Sequence, residues 1–92
     1  MVAVHPGRIL KRELKARRFS ANKLALALRV PSGRVTSILN GKRWITPDTA
    51  LRLSRYFGNT ALFWLNLQIR YDLTIAESTI GRQIDKEIQR VA

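Results

Sequence analysis

Few side chains in this sequence can do covalent chemistry. Among 92 residues there is no cysteine, one histidine and six acids, and no nucleophile, base and orienting acid fall together as a hydrolytic site requires. His5 has no neighbouring acid or second histidine in the sequence, so capping or packing is its expected role rather than metal ligation or catalysis. No glycine-rich phosphate loop occurs either. We therefore expect neither enzyme activity, nor a cofactor, nor a metal site. What the chain does carry is recognition chemistry: Ser32, Gly33, Arg34, Thr36 and Ser37 in one short stretch, followed by Asn40-Gly41-Lys42-Arg43. Small hydroxyl side chains, one guanidinium and a pair of cations suit a helix in a DNA major groove. Base edges need hydrogen-bonding groups that do not hold the helix away, and phosphates need cations or amides beside it.

Charge supports the same partner. The net charge is +11, and a chain this basic is attracted to polyanions whatever its fold. Residues 1–45 hold eleven of the seventeen Lys and Arg but only Glu13 of the six acids, a net +10, whereas residues 46–92 hold six cations and five acids, a net +1. A generally basic surface does not explain why the excess sits in the half with the recognition stretch. No amphipathic stretch pairs a basic face with a strongly apolar one, so nucleic acid is favoured over a membrane surface. With no signal-like N-terminus, no unbroken apolar run long enough to span a bilayer and no cysteine, a soluble intracellular protein is expected.

Two short helices must position the recognition stretch. Ser20 can cap the first, and Leu24, Ala25 and Leu28 then recur at helical spacing. Pro31 biases Val30 away from the helical region, so a second helix starts near Pro31 or Ser32. In it Val35, Ile38 and Leu39 share an inward face, and Asn40-Gly41 ends it. This is a helix-turn-helix over residues 20–40. Upstream, His5-Pro6-Gly7 opens a helix with Ile9, Leu10 and Leu14 on one face and Arg8, Lys11, Arg12, Lys15, Arg17 and Arg18 on the other. Downstream, Thr46-Pro47-Asp48 starts a fourth helix that turns Ala50, Leu53, Tyr56 and Phe57 inward, leaves Arg52 and Arg55 as solvated charges, and stops at Gly58.

Thr60 caps a fifth helix running to about residue 76. It carries two apolar stripes: Leu62, Leu65, Ile69 and Leu73 form one, and Trp64, Leu67, Tyr71 and Ile75 the other. A small monomer covers only one stripe, and the other asks for a partner helix. The strict alternation of Leu65, Leu67, Ile69, Tyr71, Leu73 and Ile75 also fits a half-buried strand, but the run is long for a strand and begins at a cap. Over residues 77–92 the reading stays open between a sixth short helix starting near Ser78 or Thr79 and an extended tail. Residues 1–92 form a single all-α domain of five helices with a possible short C-terminal extra element.

Four segments carry a resemblance: His5-Pro6-Gly7-x-Ile9-Leu10; Ile38-Leu39-Asn40-Gly41-Lys42-Arg43; Ile45-Thr46-x-Asp48 through Leu53; and Tyr56-Phe57-Gly58 with Phe63 through Gln68. In this order they resemble the HigA-type antitoxins of bacterial toxin–antitoxin pairs, within the phage-repressor-like helix-turn-helix superfamily, over roughly residues 5–76. The resemblance implies base contacts from Ser32, Gly33, Arg34 and Ser37, with Arg34 the candidate for a guanine because its planar fork engages O6 and N7 together. Asn40 sits where the resemblance puts a backbone contact, and phosphate contacts are also expected from Asn22, Lys23, Thr36, Lys42 and Arg43. Two departures stand out: Ala21 replaces a glutamine common in these repressors, and Arg29 occupies a turn position that is commonly glycine. We further expect a homodimer through Trp64, Leu67, Tyr71 and Ile75, bound to an inverted-repeat operator in double-stranded DNA with successive recognition helices about 34 Å apart.

The function implied is twofold: repression of its own operon, and neutralisation by direct binding of a cognate toxin, of the kind represented by HigB-like mRNA-cleaving ribonucleases. A stand-alone helix-turn-helix repressor without a toxin would share the fold and the DNA site. An adaptor that lost DNA binding is supported by Ala21 and Gly33 but opposed by Arg34, Asn40, Lys42 and Arg43. An RNA-binding role lacks the exposed aromatics of a stacking platform near the basic residues.

Overall fold

Four of the helices in this chain begin where a side chain supplies the missing acceptor for a free backbone N–H. Nδ1 of His5 accepts from the Gly7 N–H at 2.9 Å, Oγ of Ser20 from Lys23 at 3.0 Å, Oγ1 of Thr46 from Thr49 at 3.5 Å and Oγ1 of Thr60 from Phe63 at 3.1 Å. The computed structural model describes residues 2–91. It contains α1 (Pro6–Arg17), α2 (Ala21–Leu28), α3 (Ser32–Leu39), α4 (Pro47–Phe57) and α5 (Ala61–Glu87), with no strand among the described residues. Pro31 stands just outside α3, as its extended N-cap.

The turn between α2 and α3 closes through Arg29 in the left-handed conformation (φ 58°), with the Val30 N–H donating to the Ala25 carbonyl at 3.0 Å. Arg18 closes α1 in the same way (φ 57°), a second non-glycine left-handed residue that the pattern alone does not announce. Each costs on the order of 1 kcal/mol relative to glycine, and each carries a cation at a helix C-terminus, where positive charge is favourable.

The core is a single cluster from all five helices: Leu10 and Leu14, Leu24, Ala25 and Leu28, Val35 and Ile38, Ala50 and Leu53, and Trp64, with Ile45 from the loop before α4. Helix α1 approaches the C-terminal end of α3 so closely that a Cβ on Gly7 would lie 1.8 Å from the Ile38 carbonyl oxygen. Only glycine fits there. His5 packs over this junction, with its ring edge against Tyr71 of α5 at a centroid separation of 4.9 Å. Capping and packing are thus its structural roles.

Helix α5 corrects two expectations. It does not end near residue 76, nor does a sixth helix start at Ser78. Instead it continues for 27 residues to Glu87. Ser78 and Thr79, which read as a helix start, turn their hydroxyls back onto the Ile75 carbonyl at 3.0 and 2.8 Å and are absorbed into the helix interior. The second correction concerns the stripe that faces inward. Trp64 is 1 % exposed, clamped by Phe57 and Phe63 and bound through Nε1 to Asn59 at 2.8 Å, so it has no surface to offer a partner. Leu67 and Tyr71 are half-buried on the same side, beside Val2, Val4 and Ile9. Of that stripe only Ile75 is exposed. The opposite stripe is the barer one: Leu62 is 61 %, Ile69 50 % and Leu73 60 % exposed, while Leu65 is half-buried against the core.

Candidate nucleic-acid interface

Helix α3 is presented rather than buried because only Val35 and Ile38, with Leu39 partly, are spent on the core. Ser32, Gly33 and Thr36 face outward, and Arg34 and Ser37 lie at the edge of contact with the rest of the fold. Nothing lies within 4 Å of where a Cβ on Gly33 would stand, so the first turn of α3 is open to whatever approaches it. Thr36 differs from its neighbours: its hydroxyl donates back to the Ser32 and Gly33 carbonyls at 3.2 and 3.3 Å. Donation from Thr36 to a phosphate requires release of that bond.

At the end of α3, Gly41 takes a left-handed conformation (φ 74°) and the Lys42 N–H donates to the Ser37 carbonyl at 2.8 Å, turning the chain sharply. Lys42, Arg43 and Trp44 follow in an exposed loop that is pinned again at Ile45. With Arg34, Thr46, Asp48 and Thr49, these three residues line an open depression of about 430 Å³. The structure thus brings Arg34, Lys42 and Arg43 to one concave surface. Asn40 is exposed at the close of α3. Asn22 and Lys23 are exposed at the start of α2 and do not line the depression; Lys23 places its ammonium 4.1 Å above the Phe19 ring.

Three residues of this surface were not evident from residue types and spacing. Asp48, at the start of α4, accepts from Nη1 of Arg34 at 3.0 Å and from Nε of Arg52 at 2.9 Å. Hydrogen bonding from Arg52, reinforced by the charge of both guanidiniums, holds the Asp48 carboxyl below the usual carboxylate range. Arg52 is no solvated charge, because its Nη1 also donates to the Leu28 carbonyl at 2.9 Å, one of the free acceptors at the end of α2. The i, i+4 spacing of Asp48 and Arg52 is a readable signal for their pairing, but nothing local announces Arg34, fourteen positions away, as a third member. The other missed residue is Trp44, 70 % exposed beside two cations, whose signal was an indole next to Lys42-Arg43 in a loop.

Among the described residues, no three His, Cys, Asp or Glu side chains gather as metal ligands would, and no helix is long and apolar enough to cross a membrane.

The sequence profile of the helix-turn-helix family matches residues 10–65. Virulence-associated protein I of Dichelobacter nodosus is 54 % identical over 78 residues, which are 84 % of this chain and 72 % of that protein. The structure of an addiction module antidote protein of the HigA family from Coxiella burnetii superposes with a TM-score of 0.96 at 51 % identity, over 99 % of this chain and 100 % of that one. The antitoxin HigA of Pseudomonas aeruginosa, solved with the higBA promoter, superposes with a TM-score of 0.95 at 41 % identity, again over 99 % and 100 %. A family profile over more than half of the chain and HigA structures matched along their whole length leave one assignment: this chain belongs to the helix-turn-helix family and, within it, to the HigA-type antitoxins.

Proposed function

We propose that this protein is a binding protein rather than an enzyme, with two partners: operator DNA, which it represses as a homodimer, and a cognate toxin, which it neutralises by direct binding. One observation carries the DNA reading. Arg34 of α3 and the basic loop with Lys42 and Arg43 line a single concave surface, on a fold that in P. aeruginosa HigA has been solved with promoter DNA. Ser32, Gly33, Arg34 and Ser37 are the proposed base-facing positions, and Asn22, Lys23, Asn40, Lys42 and Arg43 the proposed phosphate contacts, with Thr36 able to join them only by giving up its bond to the helix. The proposed dimer surface moves to the bare stripe of α5, Leu62, Ile69 and Leu73; Ile75, exposed on the opposite side of the helix, is not part of it. The toxin reading rests on membership of the antitoxin family, and an excess of +10 in the first 45 residues favours an acidic patch on the toxin.

Two measurements test this. The first is titration of the protein with a duplex carrying its own promoter and with a shuffled duplex, across a salt series. Tighter binding to the promoter is expected, and Lys42→Ala should weaken both complexes and flatten the salt slope by about one unit. The second is nuclease-treated capture from cells carrying the locus. A single stoichiometric small protein is expected, and recovery of the homodimer alone would leave a repressor without a toxin.

A further inference from the structure

Arg34 is a long, flexible side chain near the start of α3, yet it is not free to wander. Its Nη1 is held at 3.0 Å by Oδ1 of Asp48, and the same oxygen is held at 2.9 Å by Nε of Arg52. Arg52 is in turn fixed by its Nη1 to a backbone atom, the carbonyl of Leu28, at 2.9 Å. The chain Leu28–Arg52–Asp48–Arg34 therefore ties the guanidinium of the recognition helix to the end of α2 through the first turn of α4. Among the described residues nothing engages Nε or Nη2 of Arg34, and that edge of the fork is one of those able to donate two parallel hydrogen bonds to an acceptor pair.

We propose that Asp48 is the positioning residue for base readout, holding one side of the Arg34 fork so that its other edge meets the base pair in a single orientation. The inference rests on the reading that Arg34 contacts a base. Three features favour it over an ordinary surface ion pair. Asp48 places a negative charge in a depression whose other charged residues are Arg34, Lys42 and Arg43, where it opposes phosphate binding and so weakens general affinity. It is shared by two arginines rather than paired with one. Its second arginine is anchored on backbone, so the pair has a fixed origin and not two mobile ends. Such a residue lowers affinity for any DNA and raises discrimination among sequences. Pre-ordering also removes part of the side-chain entropy that Arg34 would lose on meeting the base.

A two-residue cycle tests this, using the full chain with a promoter duplex and a shuffled duplex of equal length. Asp48→Asn keeps an oxygen at the position and removes the charge. We expect it to bind the shuffled duplex more tightly than the parent does, while the ratio of promoter to shuffled affinity falls roughly tenfold. In an Arg34→Ala background the same Asp48→Asn change should shift both affinities alike and leave the ratio as Arg34→Ala alone sets it. Unchanged helical content and thermal midpoint in Asp48→Asn separate this from a folding defect, and Asp48→Ser serves if the asparagine variant folds poorly. An unchanged ratio in Asp48→Asn overturns the proposal, as does a rise, which would make the carboxylate a competitor of the base for Arg34. A fall of equal size with and without Arg34 also overturns it. If Arg34→Ala itself leaves the ratio intact, the assignment of Arg34 to a base fails and takes the proposal with it, an outcome distinct from the others.

Discussion

The backbone N–H of Ile45 donates to Oε1 of Gln68 at 2.9 Å across 23 positions of sequence. Gln68 is buried in α5, and its Nε2 donates in turn to Asp72 at 3.0 Å. The loop that carries Lys42, Arg43 and Trp44 is therefore suspended from α5, the helix that exposes the bare apolar stripe. An unpaired buried amide costs about 1–3 kcal/mol. Gln68→Leu should lower stability by that amount in urea unfolding and, by loosening the loop, weaken promoter and shuffled duplexes together. A loss of stability with both affinities intact would show that the suspension serves only the fold.

Glycines 7 and 33 make opposite predictions. A Cβ at Gly7 meets the Ile38 backbone at 1.8 Å, an atom that no rotamer change can move aside. Gly7→Ala should destabilise by about 3 kcal/mol through overpacking, and each kcal/mol moves Tm by roughly 4–8 °C in a domain of this size. At Gly33 the space is empty and the position is helical. Alanine there should stabilise by about 0.5–1 kcal/mol while weakening promoter binding, because the added methyl stands on the proposed base-facing surface. Paired thermal scans and titrations of the two variants check both signs.

Acid should loosen the junction that Gly7 allows. Nδ1 of His5 accepts the Gly7 N–H, so protonation of that nitrogen removes the cap of α1. Burial pushes the His5 pKa below its ordinary value, against a smaller opposing pull from Asp72. A folded-state pKa lower than the unfolded one means that the unfolded chain binds more protons in the interval between them, so stability rises with pH there. The contribution is complete above the ordinary histidine value near 6.5 and is lost as pH falls through the folded value. Urea midpoints should therefore decrease as pH falls from near 6.5 through the folded value. The decrease should be smaller in His5→Asn, which keeps a capping acceptor but does not titrate. An equal decrease in both would place the titrating group elsewhere.

Much of this architecture was legible because its signals are local. The caps at His5, Ser20, Thr46 and Thr60 and the stop at Gly58 each depend on residues within a few positions, and the helical starts they predict are the observed ones. Arg29, left-handed in the structure, stands where the resemblance puts a glycine. Two things were not legible. Ser78 and Thr79 carry the same hydroxyls as a cap, and whether such a hydroxyl caps a new helix or bonds back into the old one depends on the preceding turn, here already helical. Arg34, Asp48 and Arg52 meet only because α4 folds back beside α2 and α3, a tertiary fact that i, i+4 spacing does not contain.

The two stripes of α5 give the sharpest comparison, since they are equally apolar in sequence and opposite in structure. Trp64 is enclosed by Phe57 and Phe63, and α4 and α1 cover its side of the helix. Leu73, two turns and a half along, faces outward with Leu62 and Ile69. Trp64→Ala should cost about 3–5 kcal/mol, as other large-to-small changes at buried aromatics do, and for a domain of this size that is a large part of the total. Leu73→Asp removes nothing from the protomer core. It should leave the helical signal of the protomer unchanged and, if the bare stripe is the dimer surface, give a folded monomer in sedimentation. That monomer should retain weak, salt-sensitive binding to any duplex and lose most of its preference for the promoter, because one recognition helix reads only half of an inverted repeat. A Leu73→Asp protein that stays dimeric with full promoter preference would exclude this stripe and direct attention to the N-terminal groove between Val4 and Leu67.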